Sequence, residues 1–244
     1  MIININFISS GFLSIYVFLL SFSICLAIPF LKGKIFNFLP IFFVIFSFYI
    51  FCAVGFSVDR LSWGNRPWFN FCFFVFFGLY LIKLLSINPI KVGLRLPKLA
   101  EVWKPCLIAF SFSIIFCSIL LLLHGPNPVP DMANLLFEAT MPGLEEEFCF
   151  RGLIPYFFIS SLSKNYKNKS IQLLAIIFTS SIFALVHVVY LQNNHIQFTP
   201  GKILYSFPFG LILGWLRLKT FSIYPGIIIH NFINVIFSCS YYFF

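Results

Sequence analysis

Apolar runs of about twenty residues recur along this chain with few polar interruptions, and no other feature restricts its fold so tightly. Of 244 residues, 60% are hydrophobic and 9% charged, and the mean hydropathy is +0.98. A water-soluble fold of this size has no interior large enough to hide that much hydrocarbon, so lipid is the expected solvent. In lipid, backbone N–H and C=O groups have to be satisfied within the chain, which leaves helices or a closed barrel, and barrel-like alternation is missing. Eight runs, at about 5–31, 36–56, 68–87, 105–124, 134–161, 171–191, 201–217 and 221–242, each read as one crossing. The expected fold class is an all-α membrane protein, a bundle of about eight transmembrane helices. No polar linker divides residues 1–244, so one membrane domain is expected, and the sharpest break is His124-Gly-Pro-Asn-Pro-Val-Pro130.

The formal net charge of +9 raises the question of a nucleic-acid partner. The basic residues sit in short clusters between apolar runs, where membrane proteins carry them on the cytoplasmic side, and no nucleic-acid partner is expected. Lys32 and Lys34 follow the first run, Lys83 to Lys104 the third, Lys164 to Lys169 the fifth, and Arg217 and Lys219 the seventh; the other loops hold only Arg60, Arg66 and Lys202. The positive-inside rule then puts both termini outside. Lys91 to Lys104, with Pro97, Glu101 and Trp103, is expected to lie along the cytoplasmic leaflet. The N-terminal run is too long for a signal peptide, and the final Tyr241 to Phe244 form no prenylation box. Seven scattered cysteines without a paired spacing read as small core residues.

Against this background the acids stand out. There are seven in the chain, and Glu145, Glu146 and Glu147 are consecutive inside an apolar run, followed by Arg151. Charges at membrane depth face the bundle interior and mark function by default; the bland alternative is a helix starting at Pro142-Gly143 with acids in its first turn. On a continuous helix Glu147 and Arg151 are four apart and pair on one face, which leaves Glu146 rotated by roughly 100° and free to act as a general base. The next run holds Phe183 and His187, and the last holds His230 and Asn234, each pair again four apart and on one helical face. A lone membrane histidine is more often structural, but two of them with a glutamate cluster suggest a site. His124 and His195 fall at a helix end and in a loop.

Three motifs in order, EExxxR (Glu146, Glu147, Arg151), FxxxH (Phe183, His187) and HxxxN (His230, Asn234), resemble those of the CAAX proteases and bacteriocin-processing enzymes. This is also called the Abi family and includes the Ras-converting prenyl-protein endopeptidases. The resemblance covers about residues 130–240, the expected catalytic core, and leaves 1–124 as N-terminal scaffold helices. It implies hydrolysis of a peptide bond in a membrane-embedded or lipid-anchored peptide or protein tail. In that scheme Glu146, with His187, activates water; His230 and Asn234 hydrogen-bond the oxyanion; Glu147 and Arg151 hold the geometry. Members of the family have been described with and without metal. A metal-free site is favoured, the alternative being zinc held by Glu146, His187 and His230, although no HExxH helix marks it. A cysteine protease using Cys149 is disfavoured, since a thiol buried among phenylalanines stays protonated. From another class, a proton-coupled transporter lacks the expected internal symmetry, and a non-catalytic immunity protein would have no need of intact motifs. Short loops suggest a bacterial cytoplasmic membrane.

Overall fold

The computed structural model describes residues 68–240, apart from 126–128, 164–165, 167 and 193–194. The first two apolar runs, 5–31 and 36–56, lie outside the described residues. Helices α1 (Trp68–Leu84), α2 (Leu99–His124) and α3 (Met132–Glu147) are followed by a π-helical segment, Phe148–Leu153. Then come α4 (Ile154–Leu162), α5 (Lys169–Val188), the strands β1 (Val189–Gln192) and β2 (His195–Phe198), a 3-10 turn at Pro200–Lys202, α6 (Ile203–Thr220) and α7 (Tyr224–Ser238).

Local chemistry sets several of these boundaries. α2 stops at Gly125, whose φ of 77° is cheap only without a Cβ, and whose N–H bonds Leu121 O at 2.8 Å. α3 starts where Asp131 accepts the N–H of Asn134 at 2.7 Å, the usual side-chain cap. The run expected as a single crossing at 134–161 is instead three pieces. Pro142 lies inside α3, lacks an N–H and crowds the preceding turn, and the helix then widens at Phe148, with Ile154 N–H reaching back five residues to Cys149 O. All six residues of the widened segment are buried.

The run expected to cross at 171–191 also ends early, because Val189–Phe198 turns back as an antiparallel hairpin with Val189 opposite Phe198 and Gln192 opposite His195. Helix-period reasoning absorbed Val189 and Leu191 into the apolar run, because periodicity alone does not tell a short apolar strand from a continuing helix. His195 is therefore in β2 rather than a loop.

The helices pack through small residues and aromatic rings. α5 lies against α6, where Gly210 and Gly214, four apart, bring the backbones together: a Cβ on Gly210 would lie 3.0 Å from Ser180 Cβ, and one on Gly214 2.7 Å from Ile176 Cγ2. Phe158 stacks on Phe178 at 4.7 Å, joining α4 to α5, and Phe150 meets Phe183 edge-on at 5.5 Å. α7 lies along α3 and α2.

Within Lys91–Lys104, the segment expected along the leaflet, most side chains of residues 91–98 are exposed or half-buried while Val92 and Gly93 tie it to the bundle. Val92 is fully buried, Lys91 O accepts from Tyr166 Oη at 2.8 Å and from Arg217 Nη2 at 3.0 Å, and Ile223 N–H bonds Gly93 O at 3.1 Å. Leu99–Lys104, expected in the same segment, is the first turn and a half of α2. Among the described residues, Leu99–Leu123 and Lys169–Val188 are long and apolar enough to cross a membrane. The outer face of α2, including Ile115 and Leu122, is exposed and would meet lipid.

Candidate active site

The site is assembled at the break between α3 and the π-helical segment. That break aims Glu147 and Arg151 into the bundle, and both side chains are almost wholly buried. Their ion pair, Arg151 Nη1 to Glu147 Oε1, measures 3.2 Å. Burial of a charge pair costs roughly several kcal/mol per ion unless further groups compensate, and here they do so in part, since Glu147 Oε2 has no hydrogen-bond partner. Arg151 Nη2 donates to Gly210 O at 3.4 Å, and the guanidinium lies 4.4 Å from the centre of the Phe183 ring.

Glu147 also receives α7. His230 Nδ1 lies 3.0 Å from Glu147 Oε1, so one carboxylate oxygen holds both Arg151 and His230. Approach of the two helices depends on Gly226, since a Cβ there would stand 2.9 Å from Glu147 Oε2. A second contact anchors α7 one turn earlier on α3. Asn231 Oδ1 accepts the N–H of Gly143 at 2.7 Å, and its Nδ2 donates to Thr140 O at 3.1 Å. These bonds bracket Pro142, where the helix cannot complete its own ladder. Asn231 was missed from sequence, where only Asn234 shares the helical face of His230.

The three acids now separate. Glu145 is 2% exposed, and its Oε2, like that of Glu146 and of Glu147, is buried without a hydrogen-bond partner. Glu147 is sealed and engaged by two cationic or N–H donors. Glu146 retains 17% side-chain exposure, with Oε2 at 3.8 Å from His230 Nε2. His230 is thus turned so that Nδ1 meets Glu147 and Nε2 faces Glu146. Its ring is fixed edge-on to Phe209 at 5.3 Å and to Phe183 at 6.0 Å.

His187 approaches from the last turn of α5, its ring 4.5 Å from that of Phe183 one turn earlier. Its Nδ1 lies 2.8 Å from Phe183 O. A carbonyl oxygen only accepts, so Nδ1 carries the proton and Nε2 of the neutral ring presents a lone pair. His187, His230 and Asn234 share the wall of a cavity of about 140 Å³ with Tyr205, Ser206 and Phe209, enough for several water molecules. Its α2 wall, Phe116, Cys117 and Leu120, belongs to the end of that helix nearer Gly125. Glu146 is not a wall residue and joins the cavity through His230.

All six sequence-selected residues therefore come into one neighbourhood, Asn234 and His187 by the cavity and the other four by direct contact. Glu146, His187 and His230 are among them, and among the described residues no three His, Cys, Asp or Glu side chains converge closely enough in this arrangement to form a metal-ligand set. Cys149 is fully buried, out of reach of a substrate.

Residues 127–236, which contain all six of the sequence-selected residues, match the family model described as type II CAAX prenyl endopeptidase Rce1-like. No curated protein and no solved structure matches the chain.

Proposed function

We propose, from the match of residues 127–236 to the type II CAAX prenyl endopeptidase Rce1-like family model, that this protein hydrolyses a peptide bond in a membrane-anchored peptide or protein tail. The observation that carries the reading is the division of labour among the acids. Glu147 is closed off between Arg151 and His230, whereas Glu146 keeps 17% side-chain exposure and turns Oε2, itself buried and without a hydrogen-bond partner, toward His230 Nε2.

Hydrolysis needs a base for water and donors for the oxyanion that develops on the attacked carbonyl. Glu146 takes the proton from a water at the cavity edge, assisted by the Nε2 lone pair of His187. His230 donates from Nε2 when its ring carries both protons, with Glu147 holding Nδ1–H, and the Asn234 amide donates without any change of protonation. Glu146 then returns its proton to the leaving amine, so the carboxylate is regenerated. Arg151 touches no reacting atom; it positions Glu147 and, through it, His230. Phe183, Phe209 and Phe116 keep the cavity apolar, which strengthens each of these interactions.

No step requires a metal. The test is cleavage of a panel of membrane-anchored tails by purified protein in detergent, comparing wild type, Glu146→Ala and His230→Ala, with and without chelator. Products that vanish in both variants and persist under chelation agree with the proposal. Products that vanish on chelation in the wild type would assign the zinc-dependent version instead.

A further inference from the structure

Nearer the other end of α2, well away from His187, lies a groove of about 650 Å³ between α2 and the start of α7. On α2 its wall is Leu99, Val102, Trp103, Cys106, Leu107 and Phe110, a stripe at the three- and four-residue spacing that keeps one helical face. Tyr224 and Ile228 of α7 stand opposite. No charged side chain lines it. From Leu99 to Phe110 the helix rises roughly 16 Å, which matches half of a hydrocarbon core about 30 Å thick. At the deep end Phe110 meets the ring of Phe232 at 5.0 Å.

The shallow end has a different character. The groove begins at Leu96 and Pro97, and the adjoining stretch carries Lys91, Arg95, Lys98 and Lys104 against the single acid Glu101. Glu101 is already paired with Arg95 at 3.2 Å. Lys98 and Lys104 are exposed, and Lys104 Nζ lies 5.4 Å from the centre of the Trp103 ring, at the groove wall. Trp103 and Tyr224 are residue types that favour the depth of lipid headgroups. A ligand that satisfies the whole feature is one leaflet deep, apolar along its length and negatively charged at its outer end.

We propose that this groove binds one acyl chain of an anionic phospholipid, with the phosphate headgroup held between Lys98 and Lys104. The lipid fills the gap between α2 and the helix that carries His230 and Asn231. The proposal is independent of the proteolytic reading, because binding is measured without substrate.

The experiment titrates phosphatidylglycerol, or phosphatidylcholine with the same chains, into the detergent-solubilised full chain and counts retained lipids by native mass spectrometry. Each lysine near an anionic headgroup contributes about a fivefold preference, so the two together favour phosphatidylglycerol by roughly 25-fold. Lys98→Gln with Lys104→Gln reduces that preference to a few-fold at most. Cys106→Trp, which fills the groove, lowers retention of both lipids. Equal retention of the two lipids by the wild type would overturn the proposal, as would no retention at all, or a preference that survives the lysine replacements. Should Cys106→Trp fail to fold, the exposed lysine pair still decides.

Discussion

Replacing Asn231 by alanine removes the polar tether between α7 and the proline break of α3. Two hydrogen bonds are lost, Gly143 N–H to Oδ1 at 2.7 Å and Nδ2 to Thr140 O at 3.1 Å. Interhelical bonds of this kind average about 0.6 kcal/mol in membrane proteins, giving about 1.2 kcal/mol for the pair. Gly143 is buried, so its orphaned N–H adds a desolvation cost of about 1–3 kcal/mol. The expected loss is therefore about 2–4 kcal/mol, read from the unfolding midpoint in detergent at unchanged denaturant slope. Asn231→Asp should not rescue it, because the acid still accepts from Gly143 but turns an acceptor toward Thr140 O. Gly143→Ala should be similarly harmful, since its Cβ would lie 2.5 Å from Asn231 Oδ1 and 2.8 Å from Ile227 O. Asn231→Ala within about 0.5 kcal/mol of wild type, the range of an ordinary surface change, would refute this account of how α7 is seated.

Further outcomes follow from the same geometry. Glu146→Gln should leave the unfolding midpoint unchanged while lowering the cleavage rate by about 10²–10⁴-fold, the usual weight of a general base. Arg151→Ala strands Glu147 in the interior and should cost about 3–5 kcal/mol in an unfolding titration. Arg151→Lys should recover only part of it, because one ammonium cannot reproduce the planar fork between Glu147 and Gly210 O. Gly214→Leu forces α6 away from Ile176 and should destabilise by about 1–3 kcal/mol, measured in the same way.

Much of the candidate site's geometry was legible because membrane-depth charges are rare and helical spacing is regular. Glu147 and Arg151 pair as their four-residue separation requires, and Phe183 stacks with His187 for the same reason. The contact of His230 with Glu147 was not legible, because it depends on how α7 crosses α3, which spacing within one helix does not encode. Asn231 was overlooked for a related reason. It shares no helical face with His230, and its role comes from Pro142 on another helix. The hairpin at Val189–Phe198 and the widened turn at Phe148–Leu153 were hidden by composition, since both continue apolar runs. Apolar length identifies a chain suited to lipid but does not fix where each helix stops.

The central claim is that Glu146 activates a water molecule that attacks the peptide bond directly. A single-turnover reaction in ¹⁸O-labelled water, with enzyme in excess over a cleaved tail and the new C-terminus analysed by mass spectrometry, tests it most directly. The account predicts one ¹⁸O atom in the product carboxyl group on the first turnover. A product carrying only ¹⁶O, with the label found on a glutamate of the enzyme, would mean that a carboxylate attacks the substrate itself, and would contradict it.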